Sequence, residues 1–387
     1  MSKPFSPLNF LGALGAGGIA VAPFAFMQYL FPHGKGLVTR GQMHGGEHAL
    51  AGWQSALVGP FEAIMLVFGL LHVVLLAWML PRMFATARRG EYRDLSSNPL
   101  TGAAMLTPHL AIAMTFNVFI GVARYFLPVL QTNFQALMLP ALAAWMILLY
   151  YTLKSIYGQL HNAFSRSFDL NQARFGWMML PFSLGMVSVV GSGIAALAKA
   201  PAVAHMAAFL TLVGATGSVF LLVSKLLTLL HVHYQQPGLP DRHSLPSILA
   251  VVPILTVVAI VGFRLAHYAH VQLGFHMEWV GPAIVAVVFA FQTFYMGLGL
   301  VLMREYFRVD LRRAEYHPSQ WGLVCPFVAW TVLGAFVGGS IASGPILVGA
   351  LLLAFAVAIG LYLTVLVRMA SCAGIPLPAP LRVQPCA

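Results

Sequence analysis

Apolar residues in this chain fall into ten runs, with small residues scattered inside them and most charged residues in the short segments between. A sliding window of about 19 residues places the runs at 10–31, 56–84, 105–127, 134–153, 175–197, 203–226, 245–268, 281–303, 321–341 and 345–369. Each is long enough, as a helix, to cross about 30 Å of hydrocarbon, where every backbone N–H and C=O must be satisfied inside the segment. The pattern predicts an all-α integral membrane protein with ten transmembrane helices. Connections are short, so 1–387 is expected to be a single polytopic membrane domain with a cytoplasmic tail at 370–387 and no soluble catalytic domain. The first run exceeds a signal-peptide core of about 7–15 residues and no clear cleavage site follows it, so it is expected to be the first span.

Composition agrees. Charged residues are 8% of the chain and hydrophobic ones 59%, against roughly a quarter charged in a soluble domain. The three cysteines cannot build a disulfide framework, since Cys372 and Cys386 both lie in the tail. The net charge of +11 does not point to nucleic acid, because the basic residues sit in short loops rather than on one soluble face. Their placement points instead to orientation. Of the 21 basic residues, Lys35, Arg40, Lys199 and Arg264 fall on one side of a ten-span layout, Arg124 lies inside the third span, and the remaining sixteen share the side of the termini. Cytoplasmic loops carry the excess of Lys and Arg, so both termini are expected in the cytoplasm of a cell that inserts the chain in its inner membrane.

Inside the runs, proline is unevenly spread. Pro23, Pro181, Pro253 and Pro326 interrupt spans one, five, seven and nine, and Pro108 begins span three. Proline removes a backbone hydrogen bond and kinks a helix, which membranes tolerate where the helix lines a cavity. Glycines share the bias, with Gly12, Gly15, Gly17 and Gly18 in span one, Gly185, Gly191 and Gly193 in span five, and Gly334, Gly338 and Gly339 in span nine. Two readings stand side by side. One is close helix packing, for which the Gly334 and Gly338 G-x-x-x-G pair is suited. The other is five helical hairpins whose kinked odd-numbered helices surround a central pore.

Residues 316–330, Y-H-P-S-Q-W-G-L-V-C-P-F-V-A-W, carry an aromatic-x-P-x-x-W pattern ahead of a proline. This stretch resembles the ninth-helix motif of the tellurite-resistance/dicarboxylate transporter family, which includes the plant guard-cell slow anion channels. Leu14-Gly15-Ala16-Gly17-Gly18 is a weaker echo of that family's glycine-rich first helix. The resemblance implies ten helices, five of them lining a pore, and commonly a homotrimer. It also implies a pore constriction at Cys325, Pro326 and Phe327. The family usually has a plugging phenylalanine just before the proline, where this chain has Cys325. A smaller side chain there implies a wider or differently gated pore. The cysteine also resembles an uncharacterised TsoY-like branch that carries cysteine or selenocysteine, which would make Cys325 a redox or substrate-binding position.

Other residues admit both a functional and a structural reading. Arg124, Arg264 and Lys199 lie towards the outer ends of spans three and seven and after span five, and together would form an anion-attracting mouth. The alternative is snorkelling to headgroups or pairing with Glu62 in span two. Thr115, Asn117, Ser183, Ser188, Ser192, Thr256, Thr331 and Ser340 could replace part of an anion's hydration or simply bond backbone carbonyls. His44-Gly45-Gly46-Glu47-His48 has the H-x-x-E-H spacing of zinc peptidases, but two glycines make a poor helix and no third ligand is evident. No metal is expected. His72, His109, His205, His231, His233, His267, His270 and His276 raise the alternative of a membrane oxidoreductase subunit using haem or a reactive thiol. The expectation is a channel or transporter for small inorganic or organic anions, with no enzymatic activity, no cofactor and no partner beyond those anions, the lipid bilayer and copies of itself.

Overall fold

A computed structural model describes residues 5–46, 49–235, 238–313, 315–341 and 344–373. Among the described residues there is no β-strand, and ten helices are long and apolar enough to cross a membrane: α1 (Pro7–Leu30), α2 (Gly52–Arg88), α3 (Gly102–Phe126), α4 (Met138–Ser165), α5 (Phe175–Leu197), α6 (Pro201–Gln235), α7 (Leu245–Leu273), α8 (Val280–Leu302), α9 (Pro318–Ser340) and α10 (Pro345–Cys372). All ten predicted spans are helices. The largest differences are at the C-terminal ends of α4 and α6, which run on to Ser165 and Gln235. Hydropathy registers only the apolar stretch, whereas a helix continues into polar sequence until something stops it. For α2 that stop is Gly90, with φ +75, a left-handed conformation that closes a helix C-terminus at no steric cost.

Burial separates inner from outer helices. The most apolar stretches of α1 and α5 are 94% and 89% buried, whereas those of α8 and α10 are 28% buried. The odd-numbered helices pack in a closed cycle, α1 on α3, α3 on α5, α5 on α7, α7 on α9, and α9 back on α1. The even-numbered helices lie outside this ring. The hairpin scheme needs one amendment, because α4 packs mainly on α5 rather than on its sequence neighbour α3. The indole of Trp145 on α4 donates to the carbonyl of Val187 at 2.7 Å and is fully buried there.

Each odd-numbered helix begins with a 3-10 turn, at Pro7–Asn9, Gly102–Leu106, Phe175–Met178, Leu245–Ala250 and Pro318–Leu323. These five turns touch one another in the same cyclic order and form a collar at one end of the ring, called proximal below. Phe10, Leu106, Met178, Leu249 and Trp321, one from each turn or the residue after it, are all fully buried. The collar corrects the expected kinks. Pro181, Pro253 and Pro326 do not interrupt their helices midway; each is the third residue of the α-helical part that follows the 3-10 turn, and Pro108 is the second. First-turn N–H groups have no intrahelical acceptor, so proline costs nothing there and marks where the tighter turn gives way to α-helix. Pro23 alone among them is well inside its helix. The interruption in α3 is a π-helical segment at Phe119–Ala123, which its sequence does not announce.

Gly334 and Gly338 do pack closely, but against different helices. A Cβ at Gly334 would lie 2.2 Å from Leu351 Cδ2 on α10, and one at Gly338 would lie 2.5 Å from Leu30 Cδ2 on α1. The G-x-x-x-G spacing therefore seats α9 between two neighbours rather than onto a single partner.

Beyond the proximal ends of α7 and α9, Arg242 bridges Asp310 and Glu315 at 2.7 Å each, and the His243 and His317 rings lie 4.0 Å apart. Burial and the neighbouring His243 push the His317 pKa below its usual value, with Glu315 opposing. The folded chain therefore binds this proton less readily than the unfolded chain. Stability from this group is present above about pH 6.5 and is lost as pH falls below it. Detergent-solubilised protein is expected to lose melting temperature between pH 7.5 and pH 5.5, and His317→Gln to lose less over the same interval; equal losses would remove His317 as the cause.

Candidate functional site

The five odd-numbered helices enclose a cavity of about 450 Å³. Its lining comes from α1, α3, α5, α7 and α9 and from Gly36 and Leu37 in the loop after α1; no even-numbered helix contributes. On each helix the lining residues recur every three or four positions, as in Pro253, Thr256, Ile260, Arg264 and His267 on α7, the spacing of one helical face. The cavity extends from the level of Leu14, Phe182, Pro253 and Cys325 near the collar to Gln28, Leu197 and His267 at the distal end. Most of the surface is aliphatic, aromatic or thioether, including Phe24, Met114, Met186 and Val328.

One lysine or arginine reaches this lining. Arg264 projects from α7, where its Nη1 donates to the backbone carbonyl of Val189 on α5 at 3.0 Å. Gly193 makes that approach possible, since a Cβ there would stand 3.2 Å from the same nitrogen. Among the described residues no carboxylate lies within ion-pairing distance of Arg264. Beside it, Tyr29, Phe263 and Phe336 form a cluster with ring centroids 3.9 Å apart for Tyr29 and Phe336 and 5.2 Å for Phe263 and Phe336. An intramembrane cation without a carboxylate partner is costly to hold and marks the cavity as a functional-site candidate.

The other two members of the expected mouth lie elsewhere. Arg124 is absent from the lining; its Nη1 reaches the carbonyl of Leu37 at 3.5 Å and its guanidinium sits 4.9 Å from the Phe134 ring. It holds the loop that edges the cavity rather than facing the cavity itself. Lys199 is an exposed loop residue whose backbone N–H donates to Gln135. Glu62 pairs with neither. It accepts from Arg40 at 3.3 Å, lies 2.9 Å from His44 Nε2, and accepts from the Tyr125 hydroxyl at 2.9 Å, which pins the short helix Arg40–His44 to the bundle.

Of the expected constriction, Cys325 lines the cavity, whereas Pro326 and Phe327 do not. Consecutive helical residues point about 100° apart, so three neighbours cannot share a narrow face. Replacing Cys325 with Phe puts a ring into the proximal end of the cavity and is expected to lower flux severalfold, read as conductance in a planar bilayer; unchanged conductance would take Cys325 out of the path.

Among the candidate polar residues, Asn117 and Thr256 are in the lining. Thr256 is already engaged, donating to Ala329 O at 3.1 Å and accepting from Gln292 Nε2 at 2.6 Å, which ties α7 to α8 and α9. Ser183, Ser188 and Ser192 each donate to a carbonyl one turn earlier, and Thr331 donates to Leu351 O. Two polar lining residues were not singled out from the sequence. Tyr29 is one, and Gln28 is the other; Gln28 accepts from Val38 N at 2.8 Å and donates to Gly36 O at 3.1 Å, fixing the loop at the distal edge. Their spacing from Gly15, Gly18 and Ala25 on one face of α1 is the signal that could have found them.

Three of the candidate histidines are held by neighbouring groups. His72 is fully buried, with Nδ1 donating to Ala13 O at 2.8 Å and Nε2 2.9 Å from Thr115 Oγ1, so both nitrogens are occupied. His205 Nδ1 lies 2.7 Å from the Tyr268 hydroxyl, and His233 donates to Leu229 O. Glu47 and His48 of the H-x-x-E-H motif lie outside the described residues; among those described, no group of three potential metal ligands comes together.

Comparison of this sequence with protein-family models and with curated proteins gives no match.

Proposed function

We propose that this protein is a transmembrane channel or transporter for anions, carrying them through the ring of odd-numbered helices past Arg264. The observation that supports this reading is an arginine with no carboxylate partner, facing a cavity walled by five helices that close on one another. In this reading the collar end, with most of the basic residues, faces the cytoplasm, both termini lie there, and the membrane is the cytoplasmic (inner) one. The resemblance of residues 316–330 to the tellurite-resistance/dicarboxylate transporter motif supports the same class and suggests a homotrimer, each subunit having its own path. The protein moves solutes without chemically changing them.

The test is current across a planar bilayer holding purified protein under a chloride or nitrate gradient, with an absorption spectrum of the same sample. A reversal potential near that of the anion, with no Soret band, supports the proposal. Cation selectivity, or no current together with a Soret band, overturns it.

A further inference from the structure

Building on that function, we infer that the cavity is a binding site for a singly charged organic anion with an apolar body, such as an alkyl or aryl sulfonate or carboxylate, in preference to dianions and to small hydrated inorganic anions. Three features of the lining lead there. Among the described residues Arg264 is its one lysine or arginine, and no aspartate or glutamate accompanies it. The other polar side chains of the lining, Gln28, Tyr29, Asn117, Thr256 and His267, include no second lysine or arginine, and Thr256 already donates to Ala329 O. From Arg264 down to Pro253 the face of α7 spans eleven residues, about 16 Å of helix, and the surface opposite is made by residues such as Phe24, Met114, Phe182, Met186 and Val328.

An anion seated on the guanidinium has one charge compensated there. A second charge on the same molecule would lie in this mostly apolar chamber with no second lysine or arginine to pair it, where an unpaired ion is strongly disfavoured. A small anion would gain the same single ion pair and nothing from the rest of the chamber. An alkyl or aryl body fills it, each methylene leaving water for apolar contacts. The chamber volume of about 450 Å³ falls within the range of sites for such ligands, roughly 300–1,000 Å³. Every odd-numbered helix contacts the next, and the loop residues Gly36 and Leu37 join Gln28, Leu197 and His267 at the distal end of the lining, an arrangement that favours entry of the ligand from the aqueous phase.

Sulfonates make the test clean because they stay ionised throughout the working pH range. Calorimetric titration of the full-length protein in a non-ionic detergent at pH 8 compares methanesulfonate, hexanesulfonate and 1,4-butanedisulfonate. Hexanesulfonate is expected to bind at least tenfold more tightly than either of the others, and Arg264→Gln to weaken it at least tenfold while leaving the melting temperature in place. Should Arg264→Gln fail to fold, the wild-type series decides alone. Equal binding of the three sulfonates, or hexanesulfonate binding that survives Arg264→Gln, overturns the inference and leaves the anion pathway standing. Absence of any anion current in the bilayer test removes the pathway itself.

Discussion

Arg264→Gln is expected to reduce anion flux through reconstituted protein by about 10- to 100-fold, the equivalent of about 1.5–3 kcal/mol for a hydrogen bond to a charged group. Arg264 is the one lysine or arginine lining the cavity, and no carboxylate among the described residues pairs with it. Its removal leaves an anion inside the helix ring facing apolar side chains. Glutamine keeps a polar N–H but is two bonds shorter than arginine, so a melting temperature measured beside the flux separates loss of the charge from loss of the bond to Val189 O. Arg264→Lys keeps the charge but not the planar fork, and is expected to fall between the two. Flux per reconstituted molecule in liposomes, set beside melting temperatures in detergent, separates these cases. A glutamine variant that conducts like wild type would show that anions pass without Arg264.

The largest effect on stability is expected at Gly191. A Cβ there would lie 2.1 Å from Trp145 Cζ2 and 2.3 Å from Thr211 Oγ1, both well inside van der Waals contact. Trp145 cannot swing away, because its ring is fully buried and its Nε1 is bonded to Val187 O. Either α4 leaves α5 or the indole loses its hydrogen bond. Gly191→Ala should cost about 1–3 kcal/mol by overpacking. Gly297, in mid-α8, provides the comparison: nothing lies within 4 Å of a Cβ there, and an alanine should be neutral or stabilise the helix by about 0.5–1 kcal/mol. A melting curve for each variant checks the pair. Equal shifts would mean that the close seat of α4 on α5 is not what Gly191 secures.

The sequence announces the ten spans because a membrane span must bury its own backbone bonds in a long apolar stretch, a demand that acts on every residue of the run. It also announces which helices lie inside, since proline and glycine gather in the odd-numbered ones. It does not announce which side chains face the cavity. Cys325, Pro326 and Phe327 are adjacent in sequence yet point in different directions, and only the first reaches the lining. Arg124 and Arg264 look equivalent as basic residues near the distal ends of inner helices. Rotation about the helix axis separates them, taking Arg124 to Leu37 O and Phe134 and Arg264 into the cavity. Such rotations are set by contacts between helices, and a hydropathy profile does not carry them. The prolines were a half-legible signal. They mark breaks in regular α-helix, but the breaks lie at the collar, where a first-turn proline is compatible with both a 3-10 turn and the helix that follows.

The collar has a mechanical consequence. A 3-10 turn rises about 2.0 Å per residue and turns about 120°, whereas an α-helix rises about 1.5 Å and turns about 100°. Leu245–Ala250 and Pro318–Leu323 each hold six residues in the tighter form. Rewinding either as α-helix shortens it by about 3 Å and swivels its start by about 120°, carrying Leu249 or Trp321 away from its neighbours. The arrangement resembles the blades of a camera iris: a change of helix type confined to the rim would move the five buried collar side chains while leaving the long helices behind them in place.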